Sequence, residues 1–398
     1  MKLPNKRYTP TKAFWRRFRK NPLAIGGMVL IGIYLVLSIL GYLITPDSSP
    51  FANRQVVEIA TQNPGFRTQF LKVRKNKEVE KVSWIKKMLS GQPDAYNYIP
   101  INNFTLNDTT IVVESFSPHP LETPFYAAYT LADVVYAQQE YHENANTINI
   151  KLINNKQVTI PTNELQKKAK AQIVERSYLL GTDRFGRDLL SRLVIGSRIS
   201  LSVGFISVLI SVIIGIFLGA TAGYFGGKID KLIMWLVNVV WSIPTLLLVI
   251  AVTLVLGKGF WQIFVAVGLT MWVEVARVVR GQVLSIREKE YIEAARALGM
   301  SHFRIIFNHI LPNAINPVII ISAANFATAI LLEAGLSFLG IGVQPPIPSW
   351  GAMIKQHYGF IIMEQAYLAL LPGFAILSMV LAFTWIGNGL RDALDYKA

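Results

Sequence analysis

The sequence contains no cysteine and little charge. Only 16% of its 398 residues are charged, whereas soluble domains carry about a quarter. The absence of cysteine excludes disulfide bonds, iron–sulfur clusters and thiolate metal sites. The chain also lacks the phosphate-binding pattern G-x-x-x-x-G-K-[ST], because Gly227-Lys228 has no first glycine and is followed by Ile229. We therefore expect no catalytic site, no cofactor, no metal site and no nucleotide site of this type.

Long apolar runs are present instead, and 52% of the residues are hydrophobic. Each run has roughly the 20 residues that a helix needs to cross a bilayer. These runs are 23–44, 199–222, 232–256, 260–279, 314–332 and 366–385. The pattern predicts an all-α polytopic membrane protein with six transmembrane helices. The net charge of +15 does not indicate nucleic-acid binding, because the basic residues gather at the ends of apolar runs, where they set orientation in the bilayer.

The basic N-terminus, residues 1–22, predicts the orientation. Residues 1–20 contain eight Lys or Arg and no acid, which places this end in the cytoplasm. The apolar run that follows is too long for a signal peptide and has no cleavage site after it. Six crossings then place the loop 281–313 and the C-terminus in the cytoplasm as well. Basic residues near this loop agree with that topology: Arg277, Arg280, Arg287 and Lys289.

Residues 45–177 have a different composition, with charges of both signs and no apolar run long enough to cross a bilayer. Their position after the first span predicts an inserted extracytoplasmic α+β domain. Alternation over 147–160, with a turn at Asn154-Asn155, predicts a hairpin. We also expect a strand at 110–113 and a helix at 161–176.

A polar interval, residues 291–313, separates two of the apolar runs. Its first part contains strong helix formers, and Gly299 is suited to the left-handed conformation that ends a helix. Ser301 is positioned to cap a second short helix, which we expect Pro312 to terminate. Helical spacing predicts that four apolar residues share one face of this second helix: Phe303, Ile306, Phe307 and Ile310. The interval predicts a helix–turn–helix at the cytoplasmic surface.

Other ionisable residues near the spans allow several interpretations. His302 and His309 have no acidic or thiol partner at metal-ligand spacing, so we expect them to be solvent-exposed. Glu274 and Arg277 are three residues apart and are expected to pair along their helix. Glu333, at the outer end of the fifth span, is a candidate to face a translocation pathway. Solvation at the membrane interface is the alternative for that residue.

The interval 291–313 resembles the EAA loop of ABC-transporter permease subunits, whose pattern is E-A-A, three residues, Gly, nine residues and I-x-L-P. The residues that match this pattern are Glu293, Ala294, Ala295, Gly299, Leu311 and Pro312. His309 occupies the isoleucine position, a departure that is similar to the dipeptide/oligopeptide/nickel branch. Residues 181–188, 336–346 and 389–392 resemble the C-type subunit of that branch.

The resemblance covers about 12–45 and 178–398, and it implies a type I ABC importer permease fold. Residues 178–398 would form the permease core with five transmembrane helices and a coupling loop at 284–313. The implied partners are a second homologous permease subunit, two ATP-binding subunits and an extracytoplasmic substrate-binding protein. The implied location is the inner membrane of a bacterium. The six matching residues would dock on an ATPase subunit, because this chain would have no ATPase site of its own.

The function that the resemblance implies is import of di- or oligopeptides by alternating access. The same machinery with nickel or another small solute is an alternative. An ion-coupled secondary transporter belongs to another class and would show inverted repeats or broken helices. A membrane-anchored sensor, with 46–177 as its sensing domain, is a further alternative.

Overall fold

A computed structural model describes residues 10–118, 123–144, 146–257 and 259–394, and it divides into two compact units. The helical unit contains Met1–Ser38, Gly196–Gly359 and Ala369–Ala398. The α+β unit contains Ile39–Ile195 and Phe360–Leu368, so it is wider than the inserted domain predicted at 45–177. Part of the predicted basic N-terminus lies outside the described residues, including Lys2, Lys6 and Arg7, as does the C-terminal tail 395–398.

The α+β unit has two antiparallel sheets in the described part of the chain. The strands are β1 Phe66–Arg74, β2 Tyr96–Leu106, β3 Thr110–Ser115, β4 Tyr126–Thr130, β5 Gln138–Glu143, β6 Thr147–Leu152, β7 Gln157–Pro161 and β8 Ile173–Tyr178. One sheet has the order β4-β3-β2-β1-β8 and the other the order β5-β6-β7. Among the residues that the structure describes, the α-helices that lie wholly within this unit are α3 Trp84–Ser90, α4 Leu131–Val135 and α5 Thr162–Lys170. A core of apolar side chains, among them Leu71, Ile111, Leu131 and Ile150, holds these elements together.

These strands confirm the predicted hairpin, as β6 and β7, and the predicted strand at 110–113, as β3. The predicted helix at 161–176 is wrong in its second half. The helix α5 ends at Lys170, and Ile173 begins strand β8, which pairs with β1. The free β1 edge explains this difference, because its backbone groups give residues 173–178 ladder hydrogen bonds that a local helical pattern cannot reveal.

The remaining elements are helical. They are α1 Pro10–Phe18, α2 Pro22–Ile44, α6 Leu189–Phe225, α7 Gly227–Trp241, α8 Thr245–Leu256, α9 Phe260–Arg287, α10 Glu290–Ala297, α11 His302–Ile305, α12 Leu311–Leu339, α13 Trp350–His357 and α14 Tyr367–Leu394. Five helical stretches within the described residues are long and apolar enough to cross a membrane. If the bent pair α7–α8 counts as one span, the number rises to six.

The predicted continuous span 232–256 is broken. Helices α7 and α8 meet at a bend of 94° across residues 242–244. Pro244 lies at this break and precedes the first turn of α8. Proline has no backbone N–H and its ring clashes with the preceding helical turn, so this position favours a kink or a break in the helix.

Contacts within the helical unit give the directions of its helices. Ser207 in α6 donates to the carbonyl of Phe264 in α9 at 3.0 Å, and the ends of both helices also meet, at Gly223 and Arg287. Helices α6 and α9 are therefore parallel. Helix α14 runs antiparallel to α12, because Phe383 stacks on Phe326 at 3.8 Å while Gly387 lies against Ala323.

Helices α2 and α14 meet at one end of the helical unit. Asn21, just before α2, donates to Asp392 near the end of α14 at 3.1 Å. A Cβ on Gly389 would lie 2.3 Å from Cβ of Ala24, so the glycine allows α14 to approach α2 closely. The stretch 389–392 therefore contributes packing and a polar contact between the two chain ends.

Candidate coupling site

The end of helix α9 is tied to two neighbouring helices. Arg287 donates from Nη1 to the carbonyl oxygens of Gly223 and Tyr224, each at 3.2 Å. These carbonyls lie in the last turn of α6, where a helix has no partners of its own for them. About two helical turns earlier, Arg280 pairs with Asp230 in α7, with Nε and Oδ1 2.5 Å apart. The end of α9, which precedes the polar interval 291–313, is thus fixed to α6 and α7.

Helix α10 has one buried face and one exposed face. Ile292 and Ala295 are buried in a cluster with Val283 of α9 and Ile305 of α11. On the other side, Glu293, Ala294 and Arg296 are exposed. Because Ala294 adds only a methyl group beside the carboxylate of Glu293, a partner could approach the backbone of α10 closely here.

The turn after α10 confirms the left-handed conformation predicted for Gly299. Its φ is +75°, in the left-handed region that favours glycine. The amide of Met300 donates to the carbonyl of Ala295 at 3.1 Å, and that of Gly299 donates to Arg296 at 2.9 Å. This pattern closes a helix C-terminus. Ser301 then caps α11, as predicted, with its Oγ accepting from the amide of Arg304 at 3.4 Å.

The predicted termination of the second helix at Pro312 is wrong. A π-helical turn, Ile306–Ile310, connects α11 to α12, and the helical stretch continues without interruption to Leu339. The amide of Leu311 donates to the carbonyl of Ile306, five residues earlier. Pro312 follows in the first turn of α12, next to this break in the regular hydrogen-bond ladder, where its missing N–H is tolerated.

The same turn divides the apolar face predicted for this helix. Phe303 and Phe307 are exposed, with their rings 4.2 Å apart, whereas Ile305 and Ile310 are buried. A π-helical turn adds one residue and so changes which side chains align. The two phenylalanines are therefore an exposed pair beside the site and not part of its core.

The side chain of His302 connects α11 to the end of α6. Its Nδ1 lies 2.8 Å from the hydroxyl of Tyr224. The guanidinium of Arg296 lies 5.3 Å from the ring of the same tyrosine. Although His302 is exposed, as expected, it also has a defined partner. In the parts of the chain that the structure describes, no group of three or more His, Cys, Asp or Glu could hold a metal ion.

The other predicted residues lie elsewhere. Arg277 does not pair along the helix with Glu274 but donates to Asn238 at 2.8 Å and stacks on Trp241.

Glu333 is fully buried in α12 and accepts a hydrogen bond from Ser337 at 2.6 Å. It is 21 residues beyond Pro312, or about 31 Å along the helix at 1.5 Å per residue. Glu333 is therefore not part of the coupling site.

Three residues that hold the site were not identified from the sequence as part of it: Tyr224, Asp230 and, in its capping role, Arg287. Arg280 and Arg287 served there only as orientation markers. The partners are 50 residues apart in the pair Asp230–Arg280 and 64 in the pair Gly223–Arg287. No local spacing rule links side chains over such separations.

Family models match both ends of the chain. Residues 211–398 match the binding-protein-dependent transport system inner membrane component, and residues 9–64 match the N-terminal TM domain of oligopeptide transport permease C. The dipeptide transport system permease protein of Alkalihalophilus pseudofirmus is 44% identical over 239 residues, which are 60% of this chain and 76% of the relative. The chain belongs to the family of binding-protein-dependent transport permeases. It is an inner-membrane component of a binding-protein-dependent transport system.

Other members of this permease family have similar identity. The glutathione transport system permease protein of Pectobacterium atrosepticum is 41% identical over 221 residues, covering 56% of this chain and 73% of the relative. The oligopeptide transport system permease protein of Haemophilus influenzae is 42% identical over 228 residues, covering 57% and 73%. Among solved structures, an inward-facing MetNI methionine ABC transporter aligns with a TM-score of 0.37 and 22% identity, covering 49% of this chain and 98% of that one.

This membership confirms the resemblance to ABC-transporter permease subunits. It also decides between the classes of function, because a component of a binding-protein-dependent system is neither an ion-coupled secondary transporter nor an anchored sensor. The ranges matched by the family models leave residues 65–210 between them, a segment that contains most of the α+β unit.

Proposed function

We propose that this permease moves di- or oligopeptides across the inner membrane by alternating access, driven by ATP hydrolysis in separate subunits. The support for the substrate class is that the relatives are named for dipeptides, oligopeptides and glutathione, which all contain peptide-like amide bonds. The complex would contain a second homologous permease subunit, two ATP-binding subunits and an extracytoplasmic substrate-binding protein. The chain itself would hydrolyse no ATP. Nickel or another small solute is the alternative cargo.

The proposed topology has six spans. Helices α6 and α9 are parallel, so the chain between them must return across the membrane, and the bent pair α7–α8 is the segment available for that crossing. The start of α2, the start of α12 and the end of α14 lie at one end of the helical unit. The positive-inside rule supports a cytoplasmic location for this end. Residues 45–177 would then be extracytoplasmic.

The coupling role belongs to α10, and the observation that carries it is the contrast between its two faces. Ile292 and Ala295 hold the helix on α9 and α11, while Glu293 and Ala294 point outward. A short helix fixed in this way transmits movement as a rigid body. Since Arg287 and Arg280 join the adjoining end of α9 to α6 and α7, displacement of α10 by an ATPase would move three spans together.

Reconstitution of the complete transporter in proteoliposomes tests this role. Glu293→Ala should lower the amount of peptide imported per ATP hydrolysed, because it removes the proposed anchor without removing buried contacts. Glu288→Ala is the matched control, since it removes an exposed carboxylate just before α10. This carboxylate lies 3.9 Å from Nη2 of Arg287, whereas Arg287 bonds the carbonyls of Gly223 and Tyr224 through Nη1. Equal ratios of uptake to hydrolysis in wild type, Glu293→Ala and Glu288→Ala would contradict the proposal.

The cargo is tested separately. Purification of the intact complex, followed by mass spectrometry of the released ligand, should yield short peptides. A nickel complex or another solute in place of peptides would refute the substrate class while leaving the coupling role intact.

The pathway role of Glu333 stays a proposal with its own test. Glu333→Gln removes the ionisable group but keeps an oxygen that can accept from Ser337. A loss of uptake with unchanged assembly would support a role in the pathway. Unchanged uptake would assign this side chain to packing at the end of α12.

A further inference from the structure

Helix α3 of the α+β unit exposes an apolar face. The exposed fractions are 67% for Trp84, 50% for Ile85 and 64% for Leu89. Helical spacing places these residues and Met88 along one side, and Lys86 and Lys87 on the other. None of the seven residues of α3 is buried. The α+β unit therefore does not use this face for its own core, although a tryptophan and two large aliphatic side chains in water are unfavourable.

The chain around α3 is basic. Between residues 66 and 91 the acids are Glu78 and Glu80. The basic residues in the same segment are Arg67, Lys72, Arg74, Lys75, Lys77, Lys81, Lys86 and Lys87. An amphipathic helix with tryptophan on its apolar face and lysine on its polar face is typical of segments that lie in a membrane interface. Lysines beside a membrane are attracted to anionic lipid headgroups.

Contacts within the α+β unit hold α3 close to the end of the first span. The amide of Gln92 donates to the carbonyl of Ser48 at 2.7 Å. A Cβ on Gly91, the residue that ends α3, would lie 2.8 Å from the same carbonyl oxygen. Helix α2 ends at Ile44, so Ser48 is at most about 14 Å of extended chain beyond it.

The segment after α2 also folds back beside that helix. The amide of Phe51 donates to the hydroxyl of Tyr42, in the last turn of α2, at 3.0 Å. Phe51 is itself exposed. The residues that support α3 thus lie beside the C-terminal end of α2.

We propose that α3 is an interfacial anchor, inserted among the headgroups of the leaflet from which α2 emerges. Trp84, Ile85 and Leu89 would reach the boundary of the acyl chains, while Lys86 and Lys87 would contact anionic phospholipid headgroups. The anchor limits the rotation of the α+β unit about the end of α2. It depends on α2 spanning the membrane and not on the identity of the cargo.

The absence of native cysteine allows a direct test. The full chain, assembled with its partner subunits in nanodiscs that contain about 30 mol% phosphatidylglycerol, is spin-labelled at Ile85→Cys. The control is Asp108→Cys, in the exposed turn after β2. Strand β2 separates the two sites, because its eleven residues span roughly 35 Å. Collision rates with oxygen, which concentrates in lipid, and with a water-soluble nickel chelate are then compared.

The label at Ile85→Cys should favour oxygen over the nickel chelate at least about threefold more than the label at Asp108→Cys. Equal accessibility at the two positions would overturn the proposal. Shielding of Ile85→Cys that occurs only when substrate-binding protein is added would also overturn it, because the face would then be a protein-docking surface.

Lipid charge provides a second measurement. Lys86→Glu with Lys87→Glu should reduce the oxygen preference of the Ile85→Cys label severalfold in phosphatidylglycerol nanodiscs. Lys151→Glu with Lys156→Glu, exposed residues of the β6–β7 hairpin, should not change it. If both double variants give the same result as the parent, the lysines of α3 do not contact anionic headgroups and that part of the proposal fails.

Discussion

Arg280 donates two parallel hydrogen bonds to the carboxylate of Asp230. Its Nε and Nη2 lie 2.5 and 2.6 Å from the two carboxylate oxygens. This two-point geometry orients both side chains, whereas a single contact would leave them free to rotate. The pair connects α7 to α9 across 50 residues of sequence. It therefore contributes to the rigid attachment of the coupling site, although both side chains keep some contact with solvent.

Asp230→Ala should lower the free energy of unfolding by about 1 kcal/mol, the range of partly exposed ion pairs with good geometry. The measurement is the thermal unfolding midpoint of the purified chain in detergent. Arg280→Ala should have a similar effect. The exchanged variant, Asp230→Arg with Arg280→Asp, should recover part of the loss. If the exchanged variant loses as much free energy of unfolding as the two single variants combined, the pair contributes no coupling energy.

The effect of substituting Gly299 should depend on whether the new residue can adopt the left-handed backbone conformation, and not on its size. An added Cβ would have nothing within 4 Å, yet φ is +75°. Alanine costs roughly 1–2 kcal/mol in this conformation, asparagine costs less, and proline cannot adopt it. Peptide uptake by the reconstituted transporter should fall in the order Gly, Asn, Ala, Pro. Full uptake with Gly299→Pro would refute the role of this turn in coupling.

Gly186 should be far less tolerant than Gly65. A Cβ on Gly186 would lie 1.6 Å from the carbonyl oxygen of Val56, and its φ is +68°. Gly65 has a φ of +84° and nothing within 4 Å. We expect Gly186→Ala to destabilise the α+β unit by about 3 kcal/mol or more, and Gly65→Ala by about 1.

Limited proteolysis of the full chain checks this pair of variants. Gly186→Ala should be cleaved within residues 39–195 much faster than wild type, while Gly65→Ala should resemble wild type. Similar cleavage of the two variants would mean that the segment around Val56 moves away at little cost.

Asp188 should make stability depend on pH. Burial raises the pKa of its carboxyl group above the ordinary 3.8, although hydrogen bonds from Ser191 oppose this shift. A raised pKa means that the folded state binds the proton more tightly. The contribution to stability is therefore complete below pH 3.8 and is lost as the pH rises through the pKa of the folded state.

Asp188→Asn removes this titration while keeping an oxygen that can accept from the amide of Ser191. Its unfolding midpoint should depend less on pH between about 4 and 7 than that of wild type, and at pH 7 it should be at least as high. Identical pH profiles for the two proteins would show that Asp188 does not titrate differently in the folded state.

Local residue patterns predicted much of this protein correctly. The apolar runs depend on length and composition alone, because the bilayer requires about 20 residues per helix. Gly299 and Ser301 were assigned correctly for a similar reason, since a left-handed turn and a helix cap involve backbone groups only a few residues away. The hairpin β6–β7 is also local.

Contacts between residues far apart decided the rest. Strand β8 replaces half of a predicted helix because β1 offers it a partner. The ion pair Asp230–Arg280 and the contact of Gln92 with Ser48 join segments that no periodicity relates. Each arises only after the chain has folded, when backbone and charged groups must find partners that the neighbouring sequence does not supply.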